Sequence, residues 1–191
     1  GEFNDQFKGW SDVPIYCLGQ LIGAMFGAAM VYFHYLPHWE KTEDKEKKLA
    51  VFATAPAIKN TFSNLFSETM GTFILLFLLR AIGSNEFTEG LNPIVVGLII
   101  VAIGLSLGGT TGYAINPARD LGPRIIHFIF PIQGKGSSNW KYALIPIIGP
   151  ILGGILGSLT YDAFFNNETN WLLFIVSGLT IFVLLLSYFK K

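Results

Sequence analysis

The sequence Gly112-Tyr-Ala-Ile-Asn-Pro-Ala-Arg-Asp-Leu-Gly-Pro123 places a helix start directly after a glycine-rich stretch. Asn116 suits the N-cap, and Pro117 suits the first helical position, where its missing N–H would have lacked an intrahelical partner. The apolar piece that follows, 118–130, has about 13 residues, or roughly 20 Å of helix, against the roughly 30 Å of a bilayer core. This pattern predicts a re-entrant half-helix over 117–130, which requires a protein-lined or wet cavity beside its irregular start.

The composition outside this motif favours a membrane protein. Of 191 residues, 51% are hydrophobic and 14% are charged, and 13 basic residues balance 13 acidic ones. The low charge argues against a soluble enzyme, and the zero net charge gives no basic field for nucleic acid. The charges gather between long apolar blocks, as expected of a polytopic helical membrane protein in a lipid bilayer.

Five apolar blocks have lengths close to that of a membrane span. Four belong to a first domain, 1–170, and the fifth forms an extra C-terminal segment, 171–191. We predict spans over 13–35, 61–83, 93–108 and 142–165. The alternating charges of 40–48 predict that 37–60 is a solvated loop.

Two of these spans contain an internal repeat. Gly19, Gly23 and Gly27 align with Gly149, Gly153 and Gly157 at a constant offset, and glycines at this spacing let another helix backbone approach closely. Two spans and the half-helix precede the second copy, whereas only 12 residues precede the first span. We therefore expect that about 80 residues of the first repeat are absent from this chain.

The motif, the paired glycine spans and Glu68 together resemble the major intrinsic protein family of aquaporins and glycerol facilitators, and most closely the bacterial-type glycerol uptake facilitators. The resemblance covers residues 13 to about 165. It implies an all-α, aquaporin-like helical bundle with a re-entrant half-helix, lacking the family's first two helices and first half-helix. It also implies a multi-pass protein of the plasma membrane that works as a homotetramer.

The resemblance implies a set of pore residues. Asn116 would donate hydrogen bonds from its side-chain amide to passing hydroxyl groups. Arg119 would donate from its guanidinium at the narrowest ring of the pore and would repel cations. Backbone carbonyls in the extended stretch before the half-helix would accept hydrogen bonds from the solute. These carbonyls belong to Gly112, Tyr113, Ala114 and Ile115.

Selectivity and support are implied at further positions. Tyr113 would form an aromatic wall, and Gly104 would leave room where water-selective members carry a bulky histidine. Asp120 is a mark of the glycerol branch, and it also suits the first turn of a helix as simple capping. Glu68 would hold backbone N–H groups of the re-entrant loop, unless it snorkels from its helix end. Pro117 and Ala118 complete the structural support.

The residues support no catalytic, metal or cofactor site. No Ser/His, Cys/His or paired-carboxylate arrangement lies in the spans, and His34, His38 and His127 lack metal-ligand spacing. Cys17 suits a small apolar position inside the first span, and Arg80, Arg124 and Asp162 suit snorkelling or loop anchoring.

The resulting prediction is a passive channel for glycerol and other small uncharged solutes, including polyols, with water. The alternatives are a truncated, non-conducting membrane fragment, a mainly water-selective aquaporin and a secondary transporter. The lysine distribution would make the face that carries 37–60 cytoplasmic, whereas the resemblance places it outside. We follow the resemblance, because the charges of 40–48 sum to zero.

Overall fold

A computed structural model describes residues 9–88 and 90–189, and the regular structure in those ranges is entirely α-helical. Lys8, Lys190 and Lys191, which contribute to the lysine distribution considered in the sequence analysis, lie outside these ranges. The helices are α1 (Val13–His34), α2 (Leu36–Lys41), α3 (Lys45–Ala50), α4 (Thr61–Gly83), α5 (Leu91–Leu107), α6 (Pro117–Ile129), α7 (Trp140–Ala143), α8 (Ile145–Phe165) and α9 (Trp171–Phe189).

Four stretches of the described residues are long and apolar enough to cross a membrane: α1, α4, α7 with α8, and α9. The expected span at 142–165 starts two residues earlier, at Trp140, and is divided at Leu144 into α7 and α8. The shorter α5 has 17 residues, and α6 has 13. The chain is therefore an all-α protein of several membrane-spanning helices, as predicted.

The described chain separates into two compact units, of which the first comprises residues 9–53 and 118–138. Its core shows that the prediction of a solvated loop over 37–60 holds only in part: the charged side chains of 40–47 are exposed, whereas Trp39, Leu49 and Phe52 are buried. Trp39 stacks on Tyr32 and on Phe52, with ring centroids 6.0 and 5.6 Å apart, and its indole N–H donates to the Tyr32 carbonyl. The charges at 40–48 masked the buried side chains in the sequence, because those side chains flank the charged run or lie at its end.

The half-helix α6 packs on α1 within this unit. A Cβ added at Gly122 would lie 2.8 Å from the Cβ of Ala24 and 3.1 Å from the Leu21 carbonyl oxygen. The expected close packing at Gly19, Gly23 and Gly27 is not present among the described residues, because a Cβ at each would meet nothing within 4 Å.

The second unit comprises residues 54–117 and 139–189 and is built on α4 and α8. These helices run parallel, since Gly149 meets Leu65 and Glu68 whereas Gly157 meets Phe73 and Phe77. A Cβ at Gly157 would lie 2.6 Å from the Phe73 carbonyl oxygen. The second glycine repeat is thus occupied by the α4 backbone, as its spacing predicts.

Helix α9 packs against α4 and α8 in the opposite direction. Its last turn meets the first turn of α4, where the hydroxyl groups of Ser187 and Ser63 are 2.5 Å apart. Val176 and Thr180 are its buried residues, and the Thr180 hydroxyl donates to the Val176 carbonyl. Its opposite face exposes Trp171, Phe174 and Phe182, which suits contact with lipid.

Candidate pore site

The segment between α5 and α6 is an irregular stretch of backbone inside the second unit. After a turn at 108–111 it continues through residues 112–115 without helical or strand structure. Its φ angles are +78° at Gly112, +40° at Tyr113 and +45° at Ile115. Positive φ at a tyrosine and at a β-branched isoleucine costs on the order of 1–3 kcal/mol each. Such a conformation persists only where its surroundings impose it.

Glu68 imposes this conformation from α4. Its side chain is 1% exposed, so it does not snorkel. One carboxylate oxygen accepts the N–H of Ala114 at 3.0 Å, and the other accepts the N–H of Ile115 at 2.9 Å. Charge-assisted hydrogen bonds of this kind are about twice as strong as neutral ones. They offset the backbone strain of the segment.

The position of Glu68 is itself set by α8. A Cβ at Gly149 would lie 2.6 Å from the Cβ of Glu68, so the glycine lets α8 approach the turn of α4 that carries the carboxylate. The Thr72 hydroxyl, one turn later, donates to the Glu68 carbonyl oxygen at 2.9 Å. The glycine repeat therefore supports the irregular segment through Glu68.

The same two hydrogen bonds determine where the neighbouring carbonyl groups point. In a planar trans peptide, the C=O of one residue is directed opposite to the N–H of the next. Because the N–H groups of Ala114 and Ile115 point at Glu68, the carbonyls of Tyr113 and Ala114 point away from it. The geometry directs two consecutive acceptors to the side of the segment opposite the carboxylate.

Tyr113 and Gly104 lie in contact. A Cβ on Gly104 would be 3.0 Å from Cζ of the Tyr113 ring, and one on Gly108 would be 2.7 Å from its Cδ1. The space that we expected Gly104 to leave open is taken up by this ring. A bulky side chain at 104 would displace Tyr113, so the glycine and the aromatic side chain act as a pair.

Ile115 is buried on the inner side of the segment. It packs in a cluster with Leu75 of α4 and Ile103 of α5, and a Cβ at Gly71 would lie 3.1 Å from its Cγ2. Its apolar side chain thereby holds the segment between the two helices, next to the Glu68 hydrogen bonds.

The other residues that the sequence predicts to line or support the pore lie at the start of α6. The helix begins at Pro117, directly after the half-buried Asn116. Ala118 is half-buried and Arg119 is exposed. Asp120 is fully buried and accepts from Arg124 one turn later, at 2.8 Å from Nε and 2.7 Å from a terminal nitrogen. Asp120 thus pairs with a basic side chain of the same helix.

Sequence reasoning missed the buried polar groups that surround α6 in the first unit. Arg124 is fully buried and donates to the Ser138 carbonyl oxygen at 2.7 Å, so it anchors the loop after α6, one of its two expected roles, and does not snorkel. His127 is also fully buried, and its Nδ1 is 2.8 Å from the Ser138 hydroxyl. The four-residue spacing of Asp120 and Arg124 was the available signal.

Two lysines hold the loop after α6. The Lys135 ammonium donates to the carbonyls of His127, Phe128 and Phe130, each at 2.7 Å, and burial lowers its pKa. Lys48, which is 3% exposed, donates to the Gln133 carbonyl. A cation at the C-terminal end of α6 interacts favourably with the helix dipole.

Two features outside the site add to the sequence analysis. Arg80 and Asp162, which we assigned to snorkelling or anchoring, form an ion pair between α4 and α8. Cys17 is exposed on α1. Among the described residues, no three His, Cys, Asp or Glu side chains are grouped as metal ligands would be.

Comparison with known proteins identifies the family. Residues 9–161 match the family described as Major intrinsic protein, and the chain belongs to that family, a family of membrane channels and not of enzymes. This confirms the resemblance and the multi-pass membrane location inferred from the sequence.

The individual relatives are bacterial and protozoan. The chain is 58% identical to the glycerol uptake facilitator protein of Bacillus subtilis over 94% of this chain and 65% of that protein. It is 54% identical to the probable glycerol uptake facilitator protein of Thermotoga maritima, over 85% of this chain and 69% of that protein. The X-ray structure of the aquaglyceroporin from Plasmodium falciparum is similar, with a TM-score of 0.72 and 28% identity over 82% of this chain and 65% of that one. The chain thus spans about two thirds of the length of these relatives.

Proposed function

We propose that this chain forms part of a passive channel through which glycerol, other small polyols and water cross the plasma membrane. The observation that carries the proposal is the pair of hydrogen bonds from Ala114 and Ile115 to Glu68. They hold consecutive carbonyl groups on one side of the irregular segment 112–115. A row of such acceptors replaces the hydration of a hydroxylic solute one contact at a time.

The solute needs donors as well as acceptors. Asn116 and Arg119 supply amide and guanidinium N–H groups on either side of the start of α6, where the helix dipole is positive. This combination binds hydroxyl groups and raises a barrier to cations. The carbonyls of Gly112 and Ile115 extend the row of acceptors at its two ends.

The pairing of Tyr113 with Gly104 supports a polyol in preference to water alone. The phenol ring gives an apolar wall for the carbon chain of the solute, while the carbonyls accept from its hydroxyl groups. The relatives named as glycerol uptake facilitators support the same solute. A homotetramer is the assembly that the family resemblance implies.

We propose that 9–170 constitutes the channel domain and that α9 is an additional membrane span. The family match ends at residue 161, whereas α9 runs back along α4 to Ser63. Cysteines introduced at Lys59 and Phe189 should then react with a membrane-impermeant maleimide from one side of the membrane, and a cysteine at Glu168 from the other. Labelling of all three from one side would refute the crossing.

The channel is tested by reconstituting this chain in vesicles and measuring glycerol-driven reswelling by light scattering. We expect the parent chain to accelerate reswelling, and Arg119→Val to admit protons or monovalent cations while still passing glycerol. Lys41→Gln, an exposed change outside the site, serves as the control. No reswelling above protein-free vesicles would refute conduction by this chain and favour a non-conducting fragment. Acceleration of water flux alone would favour the water-selective alternative.

A further inference from the structure

A cavity of about 290 Å³ lies in the second unit, beside the starts of α4 and α8, and residues 112–115 do not line it. Its polar lining comes from Lys59, Asn60, Asn64, Asn139 and Lys141. The described residues that line it include no acidic side chain. The cavity therefore offers amide groups and two ammonium groups to a ligand.

The two lysines are uncompensated at short range. Within the described ranges, ion pairs join Lys47 to Asp44, Arg80 to Asp162 and Arg124 to Asp120, and none involves Lys59 or Lys141. The first turn of α4 adds the partial positive charge of a helix N-terminus. The electrostatics of the cavity thus favour an anion.

The cavity lies where a membrane-spanning helix meets the headgroup region. Both α4 and the continuous stretch of α7 and α8 are long and apolar enough to span, and both begin at this cavity. Trp140, between the lining residues Asn139 and Lys141, is 41% exposed. Tyr142 and Ile145 form the apolar side of the cavity. Aromatic residues of this kind concentrate at the membrane interface.

We propose that this cavity binds the phosphate group of an anionic phospholipid, with Lys59 and Lys141 as its cationic contacts. Lysine binds phosphate as a point charge, and basic cavities between membrane helices bind anionic headgroups. The Asn60 amide nitrogen donates to a remaining phosphate or glycerol oxygen. The acyl chain leaves over Ile145 toward the hydrocarbon. Soluble glycerol phosphate carries the same group and is the competing source.

The test measures binding of phosphatidylglycerol to the purified chain in detergent, by native mass spectrometry and by the shift of its melting temperature. Phosphatidylcholine with the same acyl chains is the neutral-headgroup comparison. The variant is Lys59→Gln with Lys141→Gln. The control, Lys41→Gln with Lys47→Gln, changes the net charge equally at two exposed lysines outside the cavity.

We expect the cavity variant to bind phosphatidylglycerol about tenfold more weakly than the parent, since each lysine near an anionic headgroup contributes a modest, salt-screened attraction. The control should stay within about twofold. Lys59→Arg with Lys141→Arg should retain binding, because the charge remains. Phosphatidylcholine binding should not respond to any of these changes.

Equal losses in the cavity variant and the control would show a general charge effect and overturn the proposal. Unchanged phosphatidylglycerol binding in the cavity variant would overturn it as well. Binding of soluble glycerol phosphate with this lysine dependence, without phosphatidylglycerol binding, would overturn the lipid as the ligand. None of these outcomes depends on glycerol conduction.

Discussion

Replacing Glu68 by glutamine tests the element on which the pore proposal depends. The two side chains have nearly the same shape, so the change removes the charge and one acceptor without leaving a cavity. Glutamine can accept from the N–H of Ala114 or of Ile115, and its NH₂ group then faces the other N–H. The strained segment loses one of the two contacts that hold it.

The size of the effect follows from these contacts. A hydrogen bond to a charged group contributes about 1.5–3 kcal/mol, and an unsatisfied buried donor costs about 1–3 kcal/mol. We expect the local stability of the segment to fall by about 3 kcal/mol, because part of each loss is regained when the segment relaxes. Where exchange follows the local opening equilibrium, this corresponds to roughly 150-fold faster amide exchange at Ala114 and Ile115.

Hydrogen–deuterium exchange of the purified chain, resolved to peptides covering 112–117, measures this change. Thr69→Val is the matched control: it is also nearly isosteric and lies beside Glu68. It removes a buried hydroxyl that donates to the Leu65 carbonyl within α4. Exchange over 112–117 that stays within twofold of the parent in Glu68→Gln would refute the reasoning. So would an equal acceleration in Thr69→Val, since the effect would then come from α4 as a whole.

Two further predictions concern packing and the buried ion pair. Gly153→Ala should lower the free energy of unfolding by about 2 kcal/mol, because its Cβ would press on the Thr69 carbonyl oxygen. Gly154→Ala should be neutral, because the nearest neighbour of its Cβ would be Leu76 Cγ at 3.7 Å. Equal melting temperatures of the two variants in detergent would contradict this contrast. Arg124→Met should cost about 3–5 kcal/mol by leaving the buried Asp120 carboxylate without its guanidinium. Adding Asp120→Leu should restore most of that stability, and a double variant as unstable as the single one in denaturant unfolding would show that the ion pair is not the cause.

Much of the fold was predictable because a bilayer imposes a simple rule on the sequence. Apolar runs of about 20 residues are needed to span it, and those at 13–35, 61–83 and 171–191 give helices with bounds within two residues of the prediction. Asn116 before α6 and Pro117 at its first position likewise act through the first turn of one helix. These signals are local, so they can be recognised without knowing what the helices contact.

The buried part of 37–60 could not be recognised in this way. Leu49 and Phe52 are buried directly after the charged run, and the buried Lys48 donates to the Gln133 carbonyl, far along the chain. A charge run therefore indicates exposure only for the side chains that have no distant partner.

The sequence by itself determined a helical membrane protein of the major intrinsic protein class, because the apolar spans, the motif at 112–123 and the glycine repeat are patterns within single helices or turns. The tertiary structure alone decided what those patterns contact. Gly149 brings α8 against Glu68, and Glu68 then holds two amide groups that lie more than forty residues further along the chain. Contacts between such distant residues depend on how helices pack, and no local preference encodes that packing.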